Sequence, residues 1–324
     1  MMSKWKVRVY ISHLTSYILF LTFLSGCLYY GQYGPRPSPS LSIPPIDPGY
    51  FNYTREPISP QVLSTSDRGT YAVQKLLFPT RIAYLYIPNG ITRAPAVVVL
   101  PVSNGNDHAK RLANFLAANG FICLRFQSRG TLFQVSRSQD PLSEFERFLK
   151  AYVIDVLKGM DWLADYPTVD RDRIGIVGIS LGALIGAIVT GVDSRIKSGV
   201  FLLSGGDVSG ILFSSKEPSI LSVRKRMEDQ EDLSPEEIRR ELQVRLRPLD
   251  PLTYADRVDP KTVLMINAYF DQVIKRRYTM ALWKALGKPP MVQLPTGHFS
   301  ATLFFNYAEQ KALAHFQKVL GQPD

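Results

Sequence analysis

Residues 175–186 read GIVGISLGALIG and place one serine, Ser180, between Gly178 and Gly182. The preceding run, DRIGIVGI, is short, branched and apolar, the pattern of a buried strand. The following run, LGALIGAIVTG, is rich in Leu, Ile, Ala and Gly, which predicts a helix packed closely on a sheet. A strand that turns into a helix within one residue needs small neighbours on both sides of the corner. Gly-x-Ser-x-Gly supplies them and lifts the serine hydroxyl above the strand ends.

Working outward, strand and helix patterns alternate. YAVQKLLF and RIAYLYIP (71–78, 81–88) predict an antiparallel pair turning at Pro79-Thr80. APAVVVLP and FICLRF are continuous apolar runs, the mark of strands buried on both faces. Between them HAKRLANFLAANG has helical spacing and stops at Gly120. SEFERFLKAYVIDVLKGMDWLADYP predicts a long amphipathic helix ending at Pro167. SGVFLLSG, KTVLMINAYF and MVQLP predict later strands, and the segments beginning at Val273 and Ala301 predict helices. Repeated strand–helix–strand units imply an α/β fold, a mostly parallel, doubly wound sheet with helices on both faces. About 50 residues, 207–257, interrupt the alternation, which is long for a connection. They are charged and contain SPEEIRRELQVRL, with Ser234 as N-cap and Pro235 at the first helical position. Their position after the strand beyond Ser180 predicts a helical lid.

Four histidines occur. His298, in LPTGHFS, follows the last strand, and loops at strand C-termini are where sheets of this class gather their sites. It is the candidate general base. His13 lies in the N-terminal apolar stretch, His315 within the closing helix, and His108 at a helix start. The acid partner should stand on another strand end. Asp271, after VLMINAYF, fits, and Asp207, after FLLSGG, is the rival. Asp250, Asp256 and Asp259 read as turn and cap residues.

The order Ser180, Asp271, His298 resembles that of the α/β-hydrolase family, over about residues 70–320. RLANFLAANGFICLRFQSRG, with Arg129-Gly130, is similar to the family's helix, strand and following turn. The chain looks most like the dienelactone-hydrolase and acylaminoacyl-peptidase-like esterases. That resemblance implies a small-molecule carboxylic ester as substrate, a Ser-His-Asp triad, an acyl-enzyme, and no cofactor or metal. The same triad would also serve an acyltransferase or a serine peptidase, and a silent relative would only bind. The oxyanion donors implied are the amides of Leu181 and of Ser103 (or Val102). Where many relatives carry His-Gly, this chain has Pro101-Val102-Ser103-Asn104-Gly105.

The 324 residues are 45% hydrophobic and 20% charged, with formal charge +10. Lys4, Lys6 and Arg8 supply part of that charge, and no dense basic block with interleaved aromatics points to nucleic acid. No Cys/His cluster has metal-ligand spacing. MMSKWKVR followed by VYISHLTSYILFLTFLSG reads as an export signal over residues 1–26, although its length would also suit an uncleaved anchor. Leu24-Ser25-Gly26-Cys27 resembles a bacterial lipobox. This implies a lipidated Cys27, a membrane-tethered protein of the bacterial envelope and, with Leu28 rather than Asp next, the outer membrane facing the periplasm. Residues 27–50, rich in Pro, Gly and Ser, then form either an extended linker or an arm laid on the domain of residues 51–324. At ~3.1 Å per residue an extended linker would reach ~60 Å. Tyr50, Phe51 and Tyr53 are candidate anchors for its far end. Cys123, the other cysteine, reads as a small buried apolar residue. No feature assigns an oligomeric state.

Overall fold

The computed structural model describes residues 28–30, 33–37, 47, 49–128, 135, 137–230 and 234–322. Residues 1–27, with the expected export signal, His13 and Cys27, and also Arg129-Gly130 lie outside the described residues. Among those described, no helix is long and apolar enough to cross a membrane.

In chain order the elements are β1 (Leu28–Tyr30), β2 (Gln61–Asp67), β3 (Tyr71–Leu77), β4 (Ile82–Pro88), β5 (Ala94–Leu100), α1 (Asp107–Ala118), β6 (Ile122–Phe126), α2 (Pro141–Ala164), β7 (Val169–Ile179), α3 (Leu181–Val192) and β8 (Ile196–Leu202). The inserted segment follows as α4 (Val208–Ser214), α5 (Pro218–Gln230) and α6 (Pro235–Arg245), trailed by short 3-10 turns. The chain closes with β9 (Val263–Ala268), α7 (Arg276–Ala285), β10 (Met291–Leu294) and α8 (Phe305–Leu320).

The strands form one sheet in the order β1-β10-β9-β8-β7-β5-β6-β4-β3-β2. From β6 to β10 neighbours are parallel, and β4, β3, β2 and β1 join antiparallel. Strands β5, β6, β9 and β10 are buried at every position, as their continuous apolar text requires. Helices α1 and α8 cover one face, while α2, α3 and α7 cover the other. The chain leaves β5 toward β6 and returns to β7 on the other side, so β5 and β7 are neighbours with Leu100 opposite Gly178. The loops after these two strands therefore diverge, and the crevice between them is the expected ligand position in an open α/β sheet.

The differences from the sequence reading have local causes. Strand β2 carries no apolar alternation because it is exposed along nearly its whole length; backbone pairing with β3 alone holds it. Helix α2 ends at Ala164, short of Pro167, with Asp165 as its C-cap. The described residues between 28 and 53 lie against the domain. Strand β1 pairs with β10, the Gly34 amide donates to Gly287 O, and the Arg36 guanidinium donates to Val258 O. Tyr50, Phe51 and Tyr53 pack on the core, with Tyr53 donating to Asp161 at 2.7 Å. The capping box at Ser234 and Glu237 stands as the SPEE text requires. Cys123 is fully buried, and burial pushes its thiol pKa up.

Candidate active site

Strand β7 delivers Ser180 at its C-terminal end with φ 54° and ψ −116°, and α3 begins at the next residue. The left-handed φ is costly for a residue with a Cβ. It turns the side chain out over the strand ends while the Ser180 amide stays in the sheet, donating to Leu202 O at 2.8 Å. Both flanking glycines are sterically obligatory. A Cβ on Gly178 would lie 2.1 Å from Gly182 O, and one on Gly182 would lie 2.5 Å from both Leu100 O and Pro101 O. The first contact lets α3 start against β7; the second lets the loop after β5 pass close to the helix start.

His298 reaches Ser180 from the loop after β10, with Nε2 3.0 Å from the serine Oγ. Its Nδ1 lies 2.7 Å from Asp271 Oδ2. Asp271 follows β9 and is 4% exposed. Its other oxygen accepts from the amides of Val273 and Ile274 at 2.7 and 2.8 Å. An ionised carboxylate only accepts, so the proton of the His–Asp pair sits on Nδ1. That leaves the Nε2 lone pair facing the serine hydroxyl. One sheet edge thus brings together the three side chains singled out in the sequence.

The Leu181 amide is the first of α3, one of the N-terminal amides for which a helix has no internal acceptor. Val102 and Ser103 border the same cavity as Ser180. Their loop is pinned from behind: the Ser128 hydroxyl donates to Ser103 O, and the Ser128 amide donates to Asn106 Oδ1 at 2.8 Å.

The rival residues are engaged elsewhere. Asp207 caps α4, accepting from the Gly210 amide at 2.9 Å and the Ser209 hydroxyl at 2.8 Å. Asp250 is half-buried and accepts from the amides of Asp207, Val208 and Leu252; desolvation raises its pKa to about 6. Asp259 caps a 3-10 turn, and Asp256 lies in another. His108 Nε2 meets Thr302 Oγ1 at 2.6 Å, and His315 Nε2 meets Thr262 O at 3.1 Å. Neither contacts Ser180.

Behind the serine lies a cavity of about 430 Å³. Its walls are apolar: Phe145 and Leu149 from α2, Leu184 and Ile188 from α3, Ile211 and Leu212 from α4. From the sequence only the lid text ILFSS, which holds Ile211 and Leu212, hints at an apolar pocket; nothing local distinguishes the other wall residues from core. Glu217 also faces the cavity, but its carboxylate accepts from the Ile220 amide at 2.8 Å and from the Ser219 hydroxyl at the start of α5. The inserted helices thus roof the space above Ser180.

Several solved structures share this architecture. Acetyl xylan esterase 1 from Thermoanaerobacterium sp. JW/SL YS485 is 18% identical, with TM-score 0.63 over 81% of this chain and 89% of that one. Acetyl xylan esterase from Paenibacillus sp. R4 is 15% identical, with TM-score 0.64 over 86% of this chain and 97% of that one. The chain has the α/β-hydrolase fold. Within it, residues 157–276 match the family described as BAAT / acyl-CoA thioester hydrolase C terminal, a span that holds Ser180 and Asp271. Puromycin hydrolase is similar at 19% identity and TM-score 0.52, over 86% of this chain and 41% of that one. No curated protein matches the chain in sequence.

In this α/β-hydrolase fold the double role of Asp271 makes Asp271→Asn informative. The asparagine oxygen keeps the Val273 and Ile274 amides, so its NH₂ turns to His298. A donor facing Nδ1 moves the imidazole proton to Nε2, which can then no longer accept from Ser180. Turnover should fall by about 10⁴-fold with the melting temperature little changed, measured by steady-state kinetics beside a thermal scan.

Proposed function

We propose that this protein is a serine hydrolase that cleaves carboxylic esters through an acyl-enzyme. The hydrogen-bonded run Ser180–His298–Asp271 at the head of an apolar cavity carries the reading. Ser180 Oγ attacks the ester carbonyl carbon as His298 Nε2 takes its proton. Asp271 holds the tautomer and stabilises the imidazolium. The carbonyl oxygen, now an anion, is received by the amides of Leu181 and Ser103 (or Val102), each worth ~3–4 kcal/mol of barrier. Collapse expels the alcohol, which takes the proton from His298. Water then repeats the attack on the acyl-enzyme and releases the acid and free Ser180. The test is labelling with a fluorophosphonate probe. Ser180 should be modified in the native protein, Ser180→Ala unmodified and His298→Ala strongly slowed. Unlabelled, well-folded wild type would sink the assignment and favour a binding role.

The cavity selects the acyl group. An apolar cavity of 150 Å³ takes one benzene, so about 430 Å³ has room for a chain well beyond acetyl. Across p-nitrophenyl esters from acetate to octanoate, kcat/KM should rise about threefold to fourfold per methylene. A profile that peaks at acetate would refute an apolar acyl site here. The match of residues 157–276 to a thioester hydrolase family favours a second reading, hydrolysis of acyl thioesters by the same residues. Rates on an ester and a thioester of the same acyl group decide between the two.

We also propose attachment to the bacterial envelope through a lipid on Cys27, after removal of residues 1–26, in the outer membrane facing the periplasm. The motif Leu24-Ser25-Gly26-Cys27 supports it. Labelled palmitate should enter the protein and be absent from Cys27→Ser; equal incorporation into both would refute it.

A further inference from the structure

A second cavity, of about 620 Å³, lies on the antiparallel side of the sheet beneath the start of α1. The register builds it. Ser64 on β2 pairs with Lys75 on β3, Lys75 with Tyr84 on β4, and Tyr84 with Arg125 on β6, so these four side chains form one row across four strands. Arg68, beyond β2, and Lys110, on α1, add two more cations to the lining, which contains no carboxylate.

Arg125 is the decisive residue. It is 3% exposed. Its guanidinium lies over the Tyr84 ring at 4.2 Å; Nε donates to the Tyr86 hydroxyl at 3.1 Å and Nη1 to Asn106 Oδ1 at 3.3 Å. Each of these partners is neutral. Among the described residues no carboxylate pairs with Arg125, Arg68, Lys75 or Lys110. Two other guanidinium groups set into the fold do have carboxylate partners: Arg81 stands 3.6 Å from Asp155, and Arg195 2.6 Å from Asp193 and 2.8 Å from Asp161. A buried cation that faces a cavity with three further cations is an unbalanced field.

We infer that this cavity is a binding site for a small molecule bearing an oxyanion, a phosphate or carboxylate group, with Arg125 as its anchor. The planar guanidinium fork matches two oxygens of such a group, and Lys75, Lys110 and Arg68 supply further charge at the rim. The site is separate from the cavity at Ser180, but the two share a wall. Ser103, Asn104, Gly105, Asp107 and His108 bound the first, while Asn106 and Lys110 bound the second. Asn106 joins Arg125 to Ser128, and Ser128 holds Ser103. An anion on Arg125 therefore sits one hydrogen-bonded relay away from the loop beside the serine.

The test is calorimetric titration with inorganic phosphate and, separately, citrate, both at fixed ionic strength with chloride as the balancing anion. Saturable binding of either supports the site, and the tighter of the two identifies the group. Arg125→Lys, which keeps the charge and loses the fork, should weaken the binding by about tenfold. The double variant Lys75→Gln/Lys110→Gln changes two residues that are half-buried and exposed, so it should fold and bind a few-fold more weakly. No saturable heat with either anion, or unchanged affinity in the double variant, overturns the inference. Repeating the titration on Ser180→Ala keeps it distinct from the hydrolase assignment, because the anion should bind there as in the wild type.

Discussion

Replacing Ser180 by alanine is expected to lower kcat by about 10⁶-fold on any ester the wild type hydrolyses. In the proposed reaction this hydroxyl forms the acyl-enzyme, and its one hydrogen-bond partner among the described residues is His298. Residual turnover would come from oxyanion binding alone, with water as nucleophile, about 10³–10⁴-fold above solution. Stability should hardly change, since the alanine methyl occupies the Cβ position already present at φ 54°. Glycine at the same site should be equally inactive but more stable by about 1 kcal/mol, because it releases the left-handed strain. Kinetics with a chromogenic ester and thermal melts of the three proteins separate these effects. An alanine variant that kept a hundredth of the wild-type kcat would mean that another residue is the nucleophile.

The second large effect is structural. Gly178→Ala would set a methyl 2.1 Å from Gly182 O, 2.3 Å from its carbonyl carbon and 2.6 Å from Ala183 N. All three are backbone atoms, so no rotamer change relieves the clash. Helix α3 must move off β7, or the strand must break. The expected loss exceeds about 4 kcal/mol, and any folded remainder should be at least about 10²-fold less active because Ser180 moves with the helix. Gly186→Ala, in the same helix, is the control. Its new Cβ would find nothing nearer than Phe201 Cε1 at 3.7 Å, an ordinary contact. It should be neutral or stabilising by up to about 1 kcal/mol. Denaturant unfolding of the two variants measures the difference, and a Gly178→Ala protein as stable as wild type would refute the steric account of the elbow.

Most of the sheet could be read from the chain because its central strands are buried on both faces and its helices on one. Each then carries a periodicity that is local. APAVVVL can only be an inner strand, and the apolar stripe of α1 needs no partner to be recognised. Strand β2 escaped because QVLSTSD buries almost nothing; its structure comes from β3, which the local text does not mention. Helices α4 and α5 escaped for a related reason. Their apolar residues serve a cavity roof, so the pattern is short and interrupted by Ser, Pro and charge.

The site divides in the same way. Ser180 was legible because its strain demands glycine at two neighbouring positions, a local steric rule. His298 and Asp271 were legible because each stands directly after a strand. The choice of Asp271 over Asp207 rested on position alone until the backbone showed Asp207 committed to the first turn of α4. The chain by itself determined the buried strands, the corner and the order of the three side chains, since these follow from steric and hydrophobic periodicities a few residues long. Only the tertiary structure decided which acid meets the imidazole, how large the cavity beside Ser180 is, and that Arg125, with no carboxylate partner among the described residues, lies in a row with Lys75. Those depend on the register between strands far apart in sequence, which is set by the packing of the whole sheet and leaves no mark in any single segment.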